Sequence, residues 1–187
     1  MNYPRRGYPL RGKFFRPDLS GHNEMILEIK QYPDPVLEKK CREVEKIDER
    51  TKKLIKDMFE TMYAHRGIGL AASQVGVSER IVVVDIGDGP RVFINPKILK
   101  KKGKVFSEEG CLSVPGVFLK VKRAEKITVE ALNERGDKFN LEANGLLSRC
   151  IQQEIDHLNG TLILNKMSIL EKIIKKLSPS KNNNSKQ

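Results

Sequence analysis

Apolar positions along the chain fall into two helical stripes and several short β-type runs. Leu54, Ile55, Met58, Phe59, Met62 and Tyr63 recur three and four residues apart. That spacing predicts a helix from about Asp48 to Arg66, with Gly67 as its stop. Leu147, Ile151, Ile155 and Leu158 form a second stripe, which predicts a helix from Gly145 to Asn159 capped by Gly160. A third helix is expected from Ser168, where Glu171 completes a capping box, to a point before Pro179. Between the first two helices the pattern is β-like. Ile81-Val82-Val83-Val84 reads as a buried strand. Val92-Phe93-Ile94 is a short strand ending at Asn95-Pro96. Ile127 to Leu132 is a strand that Glu134-Arg135-Gly136-Asp137 turns into Lys138–Leu141. Helices and strands segregated in this way predict an α+β domain with one core.

Outside those runs the pattern weakens. Residues 1–23 mix Pro, Gly, Arg and aromatic residues without periodicity and read as a flexible basic extension. Being Arg-rich and acid-poor, they also fit an organelle transit segment, though the first serine is Ser20. Residues 24–177 are expected to form one domain, and 178–187, with Ser-Lys-Asn repetition, a disordered tail. No apolar run reaches the ~18–20 residues of a membrane helix. No secretory signal is visible either, so a cytoplasmic location is expected.

The 187 residues carry 35 Lys+Arg and 24 Asp+Glu, a net charge of +11. The excess is local. Five positive charges lie between Arg5 and Arg16, five between Lys97 and Lys104, and four from Lys175 onward, each stretch free of acids. Removing these 14 leaves 21 positive charges against 24 negative, a net of −3. The body is therefore mildly acidic and its appendages basic. Such appendages give weak, salt-dependent attraction to RNA-rich surfaces such as a ribosome. No base-stacking β motif accompanies them, so no specific nucleic acid and no membrane partner is expected.

Three segments carry chemistry. Gly67-Ile68-Gly69-Leu70-Ala71-Ala72-Ser73-Gln74-Val75-Gly76 follows a helix and precedes a strand, so by itself it reads as a helix end and a connecting turn. Glu108-Glu109-Gly110-Cys111-Leu112-Ser113 places a thiol after an acidic, Gly-containing turn. Three cysteines, Cys41, Cys111 and Cys150, are too sparse for a disulfide framework, and the odd count singles out a chemical thiol. Gln153-Glu154-Ile155-Asp156-His157 lies on the second helix, with positions 153 and 157 one turn apart on one face. A histidine at 153 would make this the H-E-x-x-H metal helix, two ligands and a general base.

In this order and spacing the three segments resemble the peptide deformylase family, whose pattern is G-x-G-L-A-A-x-Q, E-G-C-L-S and Q-H-E-x-D-H-L-x-G. Here these stand as Gly67–Gln74, Glu109–Ser113 and Gln152–Gly160, and the resemblance spans Ile26 to Met167. It implies a mixed α+β fold, with β-sheets around a central motif-bearing helix and a C-terminal helix. It implies hydrolysis of the formyl group from N-terminal formyl-methionine of newly made polypeptides, at a mononuclear Fe²⁺ (or Zn²⁺ or other divalent) site. The implied ligands are Cys111, His157 and the residue at 153. Glu154 is the implied general base, the Gln74 amide and Leu112 N–H the implied oxyanion donors, and Gly69 and Ile68 the implied peptide-binding positions. Nascent formyl-methionyl peptides are the implied partners. Cys41, His22 and His65 receive no role.

One position departs from the pattern: the family's first helix histidine is Gln153. A neutral amide oxygen is a poorer donor to Fe²⁺ or Zn²⁺ than imidazole. Three readings stay open. Gln153 ligates weakly in a slow enzyme, or Cys111 and His157 hold the metal with an extra water, or the chain is an inactive relative that binds nascent N-termini or the ribosome. Cys150, on the same helix face, is a conceivable substitute ligand, but a small core thiol is the plainer reading.

Overall fold

The computed structural model describes residues 25–167. After a one-turn 3-10 segment at Pro35–Glu38 come helix α1 (Glu49–Ala64), strand β1 (Gly69–Ala71), a 3-10 turn (Ala72–Val75) and strands β2 (Ile81–Val84) and β3 (Arg91–Lys102). Strands β4 (Val105–Cys111), β5 (Val114–Arg123), β6 (Lys126–Leu132) and β7 (Lys138–Asn144) follow, then helix α2 (Gly145–Leu158) and a last 3-10 turn (Ile163–Lys166). The architecture is the α+β mix expected. The expectations for residues 1–23, for the helix from Ser168 and for the 178–187 tail fall outside the described residues.

A five-stranded antiparallel sheet runs in the order β1-β2-β3-β6-β7, and β4 pairs with β5 in a second sheet. The two helices cover opposite faces of the larger sheet. Ile81 and Val83 pack with Ile55, Met58 and Met62 of α1. Val82 and Val84 pack with Cys150, Ile151, Ile155 and Leu158 of α2. A strand buried on both faces loses the polar alternation of a half-buried one, which is why Ile81–Val84 is an unbroken apolar run.

Asp48 caps α1 by accepting from the Thr51 N–H at 3.0 Å. The helix ends through Arg66, which takes a left-handed φ of 54°, and the Gly67 N–H closes on the Met62 carbonyl at 2.8 Å. The stop is thus one residue earlier than expected, and Gly67 sits in a tight spot, where a β-carbon would crowd the Leu112 side chain at 3.1 Å.

Three segments differ from expectation. The Gly67–Gly76 segment is not a plain connecting turn but holds edge strand β1, paired with β2 through Gly69↔Val84 and Ala71↔Val82. Asn95-Pro96 does not end β3. Asn95 bends the chain at φ 52°, the register slips between Ile94 and Lys97, and pairing with β6 resumes to Lys102. The bulge lets one strand absorb a turn-like dipeptide. The acidic Gly-containing turn before Cys111 is β4 itself, paired with β5 from Val105↔Arg123 to Gly110↔Phe118.

The β3–β6 and β4–β5 pairs form one ribbon with a bend. Lys102↔Lys126 is the last pair of the larger sheet and Val105↔Arg123 the first of the smaller one. Gly103, at φ 71°, makes the corner on one strand. The bend folds β4 and β5 away from the larger sheet and carries Cys111 to the side of α2.

Candidate active site

The three motif segments converge. Cys111 closes β4, and its Sγ lies 3.2 Å from His157 Nε2 in the last turn of α2. Both side chains are buried. Gln153, one turn earlier, donates its Nε2 amide to the Gly110 carbonyl at 3.1 Å. That bond identifies the other end of the amide as the oxygen. Gln153 Oε1 is buried and has no hydrogen-bond partner among the described residues, and neither has His157 Nδ1.

Burial sets the proton states. It pushes the Cys111 thiol up to about 11, with the nearby Glu154 charge acting in the same direction. It holds the His157 imidazole down at about 3, hence neutral. It also raises the Glu154 carboxyl above the usual carboxylate range. A neutral imidazole is the form that ligates, and a carboxyl with a raised pKa is suited to taking and returning a proton near neutrality.

Glu154 is wholly buried and packs against β1. A β-carbon at Gly69 would lie 2.7 Å from its Oε1 and 2.5 Å from Cys150 Sγ, so only glycine lets the strand approach. Ile68 turns its carbonyl toward β2, where the Asp85 N–H donates at 3.0 Å. By the strand's alternation the Gly69 N–H and carbonyl then point to the edge of β1 away from β2. The next residue facing that way, Ala71, donates its N–H to Gln74 Oε1 at 2.9 Å. This holds the Gln74 amide with Nε2 toward the site, 3.2 Å from Ser113 Oγ and 3.7 Å from Cys111 Sγ. Leu112, half-buried, joins Cys111 to Ser113 and leans on the α1 side of the core.

The motifs contain Glu109, Gln152 and Asp156 but gave them no role, and Arg123, which braces the cluster, lies outside every motif. Arg123, buried, makes a paired contact with Glu109 at 2.8 and 2.9 Å and reaches Asp156 at 2.5 Å. Glu109 stands two residues before Cys111 and Asp156 one before His157. One guanidinium therefore ties the strand carrying the thiol to the helix carrying the imidazole. Gln152 makes a second tie, accepting from the Ala124 N–H and donating to its carbonyl at 3.0 and 2.9 Å. The sequence signal for both ties was the presence of Glu109 and Gln152 at the first positions of their motifs, while nothing marked Arg123.

Cys150 is not a substitute ligand. Its thiol donates to the Ile68 carbonyl at 3.4 Å and sits in the core with Ile151 and Ile155. Cys41 is a buried core thiol, and His65 caps α1 through its backbone. Among the described residues no three His, Cys, Asp or Glu side chains form a metal cluster. The donor set is two such groups and one amide. It still fits a divalent cation in two respects. The 3.2 Å between Sγ and Nε2 is close to the ~3.5 Å between neighbouring ligands of a tetrahedral ion. An unpartnered buried acceptor, Gln153 Oε1, is available from the third position.

Among known proteins, the family described as polypeptide deformylase matches residues 26–173. The chain is 56% identical over 149 residues to a peptide deformylase of Neisseria meningitidis, covering 78% of this chain and 89% of that one. It is 59% identical over 141 residues to one of Clostridium botulinum, covering 75% and 96%. A crystal structure of a peptide deformylase from Legionella pneumophila superposes with a TM-score of 0.78 at 47% identity, covering 82% of this chain and 92% of that one. One from Thermotoga maritima gives 0.75 at 44%, covering 79% and 99%. Three collinear motifs, one converged site and these likenesses place the chain in the polypeptide deformylase family, the metal-dependent hydrolases that remove the formyl group from N-terminal formyl-methionine.

Proposed function

We propose that the chain deformylates nascent formyl-methionyl peptides at the Cys111–His157 centre, at a rate set by Gln153. The carrying observation is the 3.2 Å approach of Cys111 Sγ to His157 Nε2 beside an unpartnered Gln153 Oε1. Cys111 as thiolate, His157 through Nε2 and Gln153 through Oε1 would hold one divalent cation, Fe²⁺ by family resemblance or Zn²⁺ in its place. Such a cation supplies Lewis acidity at neutral pH. Glu154 takes a proton from the attacking water at its carboxylate and returns it to the departing amine, so that formate and a free N-terminus leave. Gln74 Nε2, oriented by the Ala71 N–H, and the Leu112 N–H donate to the oxygen on which charge develops. Donors of that kind are worth about 3–4 kcal/mol each. The outward-facing edge of β1 at Gly69, with Ile68 beside it, pairs with the peptide as an added strand.

Gln153 is the weak member. Its amide donates to Gly110 as an imidazole N–H could, which keeps the side chain aimed, but its oxygen is the poorer donor. Loss of outer-shell support alone costs about 10–100-fold in metal affinity or activity. The Gln153→His variant, purified without oxygen beside the parent chain, is therefore expected to gain at least about tenfold in both. Equal activity and metal content would sink the ligand assignment. A formyl-Met peptide left intact by metal-loaded protein in a single turnover would sink the enzymatic reading and favour a binding protein without turnover. We assign this activity to the cytoplasm, with the Arg-rich, acid-poor residues 1–23 also fitting an organelle transit segment. We assign the catalytic unit to 24–177, preceded by a basic segment at 1–23, whose charge draws it to ribosomes, and followed by residues 178–187.

A further inference from the structure

The bend between the two sheets gathers positive charge around an exposed aromatic ring. Lys102 and Lys126 are directly opposed as the last pair of β3 and β6. Both are exposed, as is Lys100 on the same outward face. Like charges directly opposite on a sheet repel. Four residues further along each strand, at most ~14 Å away, Phe106 is directly opposed to Lys122. Phe106 is 59% exposed, although it is a large apolar side chain in a strand. Lys120 and Lys122 hold their ammonium groups 5.8 and 5.9 Å from its ring centre. Among the described residues none of these five lysines has a carboxylate within ion-pair distance. Glu108, directly opposed to Lys120 on the face that carries Phe106, does not reach ion-pair distance, so the repelling lysine pair and the open aromatic ring are features that an anion with stacking surface would cover favourably.

We propose that this corner is a binding surface for single-stranded RNA, read without sequence preference. Lysines following the backbone supply the phosphate contacts and Phe106 a stacking platform, the combination that suits flexible single strands. Anionic lipid would satisfy the charge, but Phe106 and Phe118, 59% and 41% exposed, stand four residues apart along the ribbon and form no continuous apolar face to insert. The corner lies about five strand residues, or ~17 Å, from Cys111 along β4. RNA held there leaves the edge of β1 and the catalytic cluster uncovered. The surface differs from the basic terminal segments and does not depend on the metal or on Gln153.

The test is fluorescence anisotropy of a polyuridine oligonucleotide with the full chain across a salt series. Four lysine–phosphate contacts predict a log–log salt slope of about −3. The Lys102→Gln/Lys126→Gln variant is expected to bind about tenfold more weakly at low salt and to flatten the slope by about 1.4. Phe106→Ala is expected to lose about fivefold to a hundredfold with the slope unchanged, the signature of a lost stacking contact. Unchanged melting curves and unchanged formyl-peptide turnover would show that both variants are folded. The proposal is overturned if the parent chain fails to bind at low salt. It is also overturned if both variants bind like the parent while neutralising Arg5, Arg6 and Arg11 abolishes binding. Binding to phosphatidylserine vesicles in the absence of RNA binding would overturn it in favour of a membrane surface.

Discussion

Gly69 and Glu154 touch where no other residue at 69 could: a β-carbon on the strand would stand 2.7 Å from the carboxylate oxygen. The backbone that is to pair with the peptide and the carboxylate that is to move its proton are thus set against each other. Gly69→Ala is expected to displace Glu154 and lower kcat by at least about 100-fold, since misplacement by about 1 Å costs that much. Overpacking should also cost about 1–3 kcal/mol. The added methyl also meets Cys150 Sγ at 2.5 Å, so Gly69→Ala/Cys150→Ala separates the two effects. The double variant should recover its melting temperature but not its activity. Recovery of both would mean that Gly69 serves packing alone.

Arg123 holds two carboxylates that belong to different elements, Glu109 on β4 and Asp156 on α2. Glu109 is fully buried and its charge has no other ion-pair partner among the described residues. Arg123→Leu should therefore cost about 3–5 kcal/mol in urea unfolding, the usual result of leaving one buried charge alone. Asp156 keeps Lys166 at 3.1 Å and should matter less. Arg123→Leu/Glu109→Leu removes both partners and should regain most of that loss. If single and double variants are equally destabilised, the bridge is not what the pocket is built around.

The elements legible in the sequence were those whose pattern is local. The α2 stripe and the apolar run of β2 each lie within about fifteen consecutive residues, and each stands where it was expected. Strand β3 was cut short at Asn95-Pro96 because that dipeptide signals a turn. The left-handed Asn95 and the slip beside it are paid for by hydrogen bonds to Val44 from a distant segment, at 2.8 and 2.9 Å. The lysines after Ile98 read as a basic appendage, since one exposed strand face needs no apolar residues. Arg123 with Glu109 was invisible, because a charge in a sequence does not say whether it will be buried or by whom it will be met. Cys111 and His157 were found through their motifs, while the amide of Gln153 facing Gly110 needed coordinates.

Gly160 sits at φ 69° directly after α2, and a β-carbon there would lie 2.3 Å from the Glu38 carbonyl oxygen. The close approach is part of the Lys40↔Asn159 bridge, which seats the end of α2 on the segment after Pro35–Glu38. Backbone cannot move aside as a flexible side chain can. Gly160→Ala should therefore cost more than the ~1 kcal/mol of an ordinary strained glycine replacement, measured by thermal or urea melts. A change within error would show that the Pro35–Glu38 turn can shift away freely.

Metal uptake should release a proton, because the Cys111 thiol, pushed up to about 11 by burial, is protonated at neutral pH in the metal-free chain, while the ligating form is the thiolate. His157 is already neutral above about 3 and adds no second proton. Apparent affinity for Zn²⁺ or Co²⁺ should consequently rise by up to about tenfold per pH unit between pH 6 and 9. The same burial gives the metal-free fold its own pH dependence. A thiol whose pKa is raised on folding keeps its stabilising proton below the unfolded value near 9 and loses it as pH climbs through about 11, so the metal-free chain should weaken over that range. Competition titrations with a chromophoric chelator, read with the proton release into a weakly buffered indicator, check both the slope and its sign. Affinity independent of pH would mean that the thiolate is already present before metal arrives. In that case the 3.2 Å contact of Cys111 with His157 would join a thiolate to a neutral imidazole, because a thiolate–imidazolium pair would still release one proton on metal binding.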